Sequence, residues 1–207
     1  DPFISTIMKT YPKLFKNYNE LSENIKRQMK YPQYLFDIQA KVLTTYHNSD
    51  VDNIYRADDR WEVAEISGSG TRSSTSMYTV LKTEDDLKQS IITTYTPEKR
   101  KNIVSYLVGQ SENGVNKLTM YRYNEKSELS LSFIDTQIEK DLKVQKELRE
   151  LTTLGTELKT VRILLPYENT TLYIKTIYQV FLNEDSVPVL KKVIVANKGK
   201  VGIGNTL

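Results

Sequence analysis

Few residues in this chain can do reaction chemistry. Cysteine is absent and histidine occurs once. Disulfides, thiolate metal sites and cysteine nucleophiles are therefore excluded, and any imidazole chemistry must run through His47. Near it in sequence lie Asp50, Asp52, Asp58 and Asp59. One imidazole with several carboxylates is a donor set for a divalent cation. The stretch from Asp50 begins like a calcium loop, with acids at the first and third positions. It then departs from one. Ile54 stands at the fifth position, Tyr55 replaces the glycine of the sixth, and Trp61 replaces the bidentate acid of the twelfth. Aspartates also bond free backbone amides in turns and at helix starts. That structural use is the expectation here, with no metal and no cofactor assigned.

Other residue groups likewise have a structural use beside a chemical one. Gly68 with Gly70, and Gly202 with Gly204, have Gly-x-Gly spacing but lack the third glycine and following helix of a phosphate cradle. Lys99-Arg100-Lys101 and Lys191-Lys192, in a chain with 14 tyrosines, could combine charge and stacking on single-stranded nucleic acid. The net charge of +3 is spread along the chain, and a solvated face explains such runs, so no nucleic-acid partner is expected. The acid pairs Glu139/Asp141 and Glu147/Glu150 have the residue types of a glycosidase. They alternate with Lys140, Lys143, Lys146 and Arg149, the pattern of ion pairing along an exposed helix. Asn169-Thr170-Thr171 is a glycosylation sequon. The catalytic residues, if there are any, stay unknown at this level.

The elements that must position these groups can be read from periodicity. Residues 2–46 read as helical, interrupted at Pro12. Ser22 caps a short helix carrying Ile25 and Met29. Pro32 opens the clearest helix, with Leu35, Ile38 and Val42 on one stripe, fading near His47. Residues 48–65 look irregular, anchored by Trp61. Met77 to Thr83 and Leu87 to Tyr95 form a hairpin around Glu84-Asp85-Asp86. Thr96-Pro97-Glu98 starts a helix bearing Ile103, Val104, Leu107 and Val108, which Gly109 can end. Leu118 to Tyr123 and Leu129 to Phe133 form a second hairpin. A helix with Leu142, Leu148, Leu151 and Leu154 stops at Gly155. Strands at Val161 to Leu165, Leu172 to Phe181, Val189 to Ala196 and Val201 to Ile203 finish the chain.

This order implies an α+β fold: a largely antiparallel sheet of hairpins covered by helices, with a helical N-terminal region. The 207 residues, 39% hydrophobic and 27% charged, suit one soluble globular domain. Its expected parts are a helical segment 1–66, a flexible loop 67–76 rich in Gly and Ser, and a sheet-rich segment 77–207. No apolar run reaches the roughly 20 residues of a membrane helix. The start at Asp1-Pro2-Phe3 has the cap and proline of an internal helix, so the chain is expected to begin within a longer protein.

Several ordered segments resemble one family. They are Tyr31-Pro32-Gln33-Tyr34-Leu35-Phe36-Asp37-Ile38-Gln39, Tyr46-His47 with Asp50, and Asp59-Arg60-Trp61-Glu62-Val63. Further on come Tyr95-Thr96-Pro97 with Arg100 and Asn102, Leu164-Leu165-Pro166 with Leu172-Tyr173-Ile174, and Leu190-Lys191-Lys192-Val193-Ile194-Val195-Ala196. Their order is similar to the soluble region of uncharacterised protein family UPF0182, large multi-pass bacterial membrane proteins. Two departures stand out. The Gly/Ser stretch replaces a more proline-rich connection, and Tyr106 stands where the family has tryptophan. The resemblance implies a membrane-spanning part upstream, and a cell-membrane parent with this region outside the bilayer on the extracytoplasmic side. The family has no established activity, so no catalytic residue carries over. The expected function is a binding or assembly module. Its partners would be the upstream membrane-spanning region, other envelope proteins or a second copy. The alternative is an enzyme acting on cell-envelope material through a carboxylate/tyrosine site.

Overall fold

A computed structural model describes residues 2–64, 76–82, 87–98, 102–123, 131–167, 170–182 and 186–205. Its hairpins follow from local turn chemistry. Asn113-Gly114 and Lys198-Gly199 all have positive φ, which two-residue hairpin turns of the primed types require and glycine supplies without a steric cost. The first pair joins β4 (Ser105–Glu112) to β5 (Val115–Arg122). The second joins β8 (Val189–Asn197) to β9 (Lys200–Gly204).

Two antiparallel sheets result. In the first, β3 (Leu87–Pro97) pairs with β4 on one side. Its other side takes β1 (Trp61–Val63) near Tyr95 and β2 (Met77–Lys82) near Ile91. The second sheet is a meander, β6 (Thr156–Tyr167), β7 (Thr170–Phe181), β8, β9, with a register shift at Ile177/Tyr178. The α+β class with antiparallel hairpins is thus the observed one.

Helices cover one face of each sheet. α3 (Gln33–Tyr46) packs Phe36 and Ala40 onto Trp61, Ile91, Tyr95 and Leu107. Gly109 lets this happen: a Cβ there would lie 2.8 Å from Phe36 Cδ2 and 2.9 Å from Ile91 Cγ2, closer than real carbons approach. On the second sheet, Ile134 and Ile138 of α5 (Leu131–Lys140) and Val144 of α6 (Leu142–Leu151) pack on Leu164, Tyr173, Ile177 and Ile194. Asp141 caps α6 by accepting the Val144 amide at 3.0 Å. The remaining helices are α1 (Pro2–Thr10), α2 (Glu23–Arg27) and α4 (Val51–Arg56).

Four expectations from sequence are corrected. Residues 105–112 are strand, not helix. β4 runs between β3 and β5 and buries Leu107 and Val108 on opposite faces, which erases the alternation that marks a one-sided strand. Leu131 to Phe133 begin α5 rather than a strand, because Ile134 and Ile138 meet the sheet at helical spacing; Leu129 and Ser130 lie outside the described residues. The stretch after His47 holds α4 and β1, not irregular chain. Finally, the stripe Leu35, Ile38, Val42 faces outward, while Phe36, Ala40 and Leu43 take the core. Of the expected flexible loop 67–76, residues 67–75 lie outside the described part. Ser76 itself is buried and donates to Asp37 on α3.

Candidate functional site

Helix α3 ends at Tyr46, so His47 sits at its C-terminal cap and turns its ring inward. The ring stacks on Trp61, centroids 3.7 Å apart and planes 15° from parallel. Nδ1 faces the Leu43 carbonyl oxygen at 3.1 Å and Nε2 faces Asp59 Oδ2 at 3.3 Å. Both ring nitrogens therefore face oxygen atoms of the fold. Arg122 of β5 donates to the His47 carbonyl oxygen at 2.6 Å and lies over the Trp61 ring. A cation on the last carbonyls of a helix is the favourable end for it. This cluster joins α3, β1 and β5. It offers no ring nitrogen to a metal or a substrate.

The neighbouring acids do not converge on His47 beyond Asp59. Asp50 caps α4, accepting from the Asp52 amide at 2.9 Å and from Asn53 Nδ2 at 3.1 Å. Asp52 lies in the first turn of α4, where a negative charge meets the helix dipole favourably. Asp58 is exposed in the turn that follows. Among the described residues no group of three or more His, Asp or Glu side chains could hold a metal ion.

The other sequence candidates disperse as well. Gly202 and Gly204 are strand residues of β9, paired with Val195 and Val193. Lys192 bonds Glu147 of α6 at 2.5 Å, and that bond draws the Glu147 carboxyl below its ordinary range. Glu139 and Glu150 lie exposed on α5 and α6. Thr170 and Thr171 are buried in β7. Gly68, Gly70, Lys99, Arg100, Lys101 and Asn169 lie outside the described residues.

A cluster that sequence reading missed stands on the second sheet. Arg162 of β6 and Lys175 of β7 are registered partners beneath α5. Their side chains are 13% and 11% exposed, and Asp135 of α5, at 22%, lies between them. Its Oδ1 is 3.6 Å from Arg162 Nη2 and 3.8 Å from Lys175 Nζ, and it accepts the Tyr173 hydroxyl at 2.8 Å. Burial, then the Asp135 charge, pushes the Tyr173 phenol well above its ordinary value. Burial, then Arg162, pushes the Lys175 ammonium down. Nε and Nη1 of Arg162 are buried with no hydrogen-bond partner among the described residues. The sequence signal was the parity of β7: Lys175 shares its face with Tyr173 and Ile177, both core residues.

A third feature is apolar. In α1 the residues Phe3, Ile4, Ile7 and Met8 recur on one side, while Ser5, Thr6, Lys9 and Thr10 fill the other. No residue of α1 is buried, and Phe3 is 80% exposed. Tyr11, Leu14, Phe15, Ile25 and Met29 continue the exposed apolar series, joined by the outward stripe of α3.

The comparisons with known proteins agree with one another. A model of an uncharacterised protein family, UPF0182, matches residues 1–151. A UPF0182 protein of Microcystis aeruginosa is 30% identical over 213 residues, and one of Clostridium tetani is 30% identical over 218. Each alignment covers 100% of this chain but 22% and 24% of the relative, so the chain spans less than a quarter of their length. No solved structure matches. No helix among the described residues is long and apolar enough to cross a membrane. By the family match and by these relatives, the chain belongs to the uncharacterised protein family UPF0182.

Proposed function

We propose that this chain is an extracytoplasmic binding or assembly module of a multi-pass membrane protein, and that its N-terminal helices dock onto the rest of their own longer polypeptide. The observation that carries the reading is the exposed apolar face of α1. Four large apolar side chains on this nine-residue helix, Phe3, Ile4, Ile7 and Met8, are 80%, 44%, 39% and 45% exposed. At about 25 cal/mol per Å² of apolar surface, leaving such a face in water is costly, and contiguous faces of this kind mark interaction sites. The relatives supply an occupant: each carries more than three times this length of further polypeptide. The side of the membrane and the multi-pass parent rest on the family resemblance. Among the described residues the carboxylate/tyrosine enzyme has one hydrogen-bonded candidate pair, Asp135 with Tyr173. A phenol held protonated by burial beside a carboxylate is a poor base or nucleophile at neutral pH, which argues against that reading.

A photo-crosslinking residue placed at Ile7 in the full-length parent tests the docking. The expected product is an intramolecular crosslink to a peptide outside residues 1–207. Crosslinks to a second copy, or to lipid alone, contradict it.

A further inference from the structure

Arg162 and Lys175 sit opposite each other on one sheet face beneath α5, with side chains 13% and 11% exposed. Like charges directly opposed across strands repel, and removal from water strengthens the repulsion. One carboxylate answers both. Asp135 presents a single oxygen, Oδ1, to Arg162, to Lys175 and to the Tyr173 hydroxyl. The cation distances of 3.6 and 3.8 Å exceed the roughly 2.7–2.9 Å of a charge-assisted hydrogen bond. Two cations against one anion leave a positive charge unmatched. The deficit is also one of hydrogen bonds: Nε and Nη1 of Arg162 carry three of the five guanidinium hydrogens and bond nothing among the described residues. Glu139, one turn along α5, is exposed and acts on Lys175 and Tyr173 through its field alone. Loss of the Lys175 proton would relieve the charge but leave the arginine donors as they are. An oxygen-bearing anion relieves both.

We propose that Arg162 and Lys175 form a binding site for one small oxyanion group, a carboxylate or a phosphate, which enters over the edge of β6 beside Asp135. Guanidinium donors lie in a plane that matches the oxygens of either group. β6 is the edge strand of its sheet, so Arg162 is approached over an unpaired strand edge. Asp135 is the most exposed of the three charged members, and binding of the anion requires it to turn aside from the donors. The site shares no residue with the apolar face of α1, so its test is independent of the docking reading.

The 207-residue chain is titrated with inorganic phosphate and with acetate by calorimetry, in chloride at constant ionic strength. The site predicts saturable one-to-one binding of at least one anion and a matching rise in melting temperature. Arg162→Gln should weaken it about tenfold or more, and Arg162→Lys, which keeps the charge but not the guanidinium hydrogens, should weaken it too. Lys192→Gln, on a lysine already bonded to Glu147, should leave it unchanged. Preference for phosphate or for acetate assigns the group. No saturable binding over chloride overturns the proposal, and so does an equal loss in Lys192→Gln, which would mark a diffuse field. Should Arg162→Gln fail to fold, the wild-type titration and Arg162→Lys decide.

Discussion

Gly109 shows how a single residue sets the packing of this chain. The face of β4 that receives Phe36 has room for hydrogen and none for a methyl group. Gly109→Ala should therefore destabilise the fold by about 1–3 kcal/mol, the usual cost of overpacking, measured as a lower urea midpoint. Two buried tyrosines set the alkaline limit. Tyr95 donates to the Ala40 carbonyl at 3.0 Å and Tyr173 to Asp135 at 2.8 Å. Burial raises both phenols above their ordinary 10.0 in the folded chain. Their contribution is complete below that value and is lost as pH rises through it toward the folded values, because the unfolded chain releases the proton first. Lys175 has the opposite sign: its value is lowered from 10.5, so stability rises with pH up to that point. The tyrosine shifts are the larger, so the net effect is loss. Between about pH 9 and pH 11 the wild type should lose urea stability, and Tyr173→Phe or Tyr95→Phe should lose less. Of this scale, the role of Asp50 as a cap was legible in sequence, since it is local. The Asp135, Arg162 and Lys175 cluster was not, because it depends on a helix meeting a sheet.

Elements were legible where the residue pattern fitted one period only. α3, the β2–β3 hairpin, α6 and the meander β6 to β9 all stand close to their expected places. β4 failed because it is covered on both faces, and Ile103, Val104, Leu107 and Val108 then mimic a helical spacing. Asn113-Gly114 was the corrective signal, since that pair between apolar runs marks a hairpin. α3 misled in a different way. It has apolar residues on two sides, and sequence cannot tell which side meets the sheet. The two sides should respond differently to substitution. Phe36→Ala, in the core, should cost about 3–5 kcal/mol. Ile7→Glu and Ile38→Glu, on outward faces, should change the stability of the 207-residue chain by no more than about 0.5 kcal/mol. Urea melts of the variants check both.

At the scale of the whole molecule, burial is unevenly distributed. Two sheets with their covering helices hold the buried clusters, while residues 2–30 contribute no buried side chain. On the docking proposal, such a segment packs against further polypeptide of a longer parent. The proposed extracytoplasmic placement is open to a direct probe, because the chain has no cysteine of its own. Tyr55 on α4 is 92% exposed. In the parent, with other cysteines removed, Tyr55→Cys should react in intact cells with a membrane-impermeant maleimide. Labelling only after lysis would place the module on the other side. The docking claim itself is tested most directly by amide hydrogen exchange over residues 3–11, compared between the 207-residue chain and its full-length parent. An exposed helix of nine residues opens readily when alone, and packing of its apolar face should slow its exchange. The account predicts fast exchange in the short chain and strong protection in the parent. Equal, fast exchange in both would contradict it.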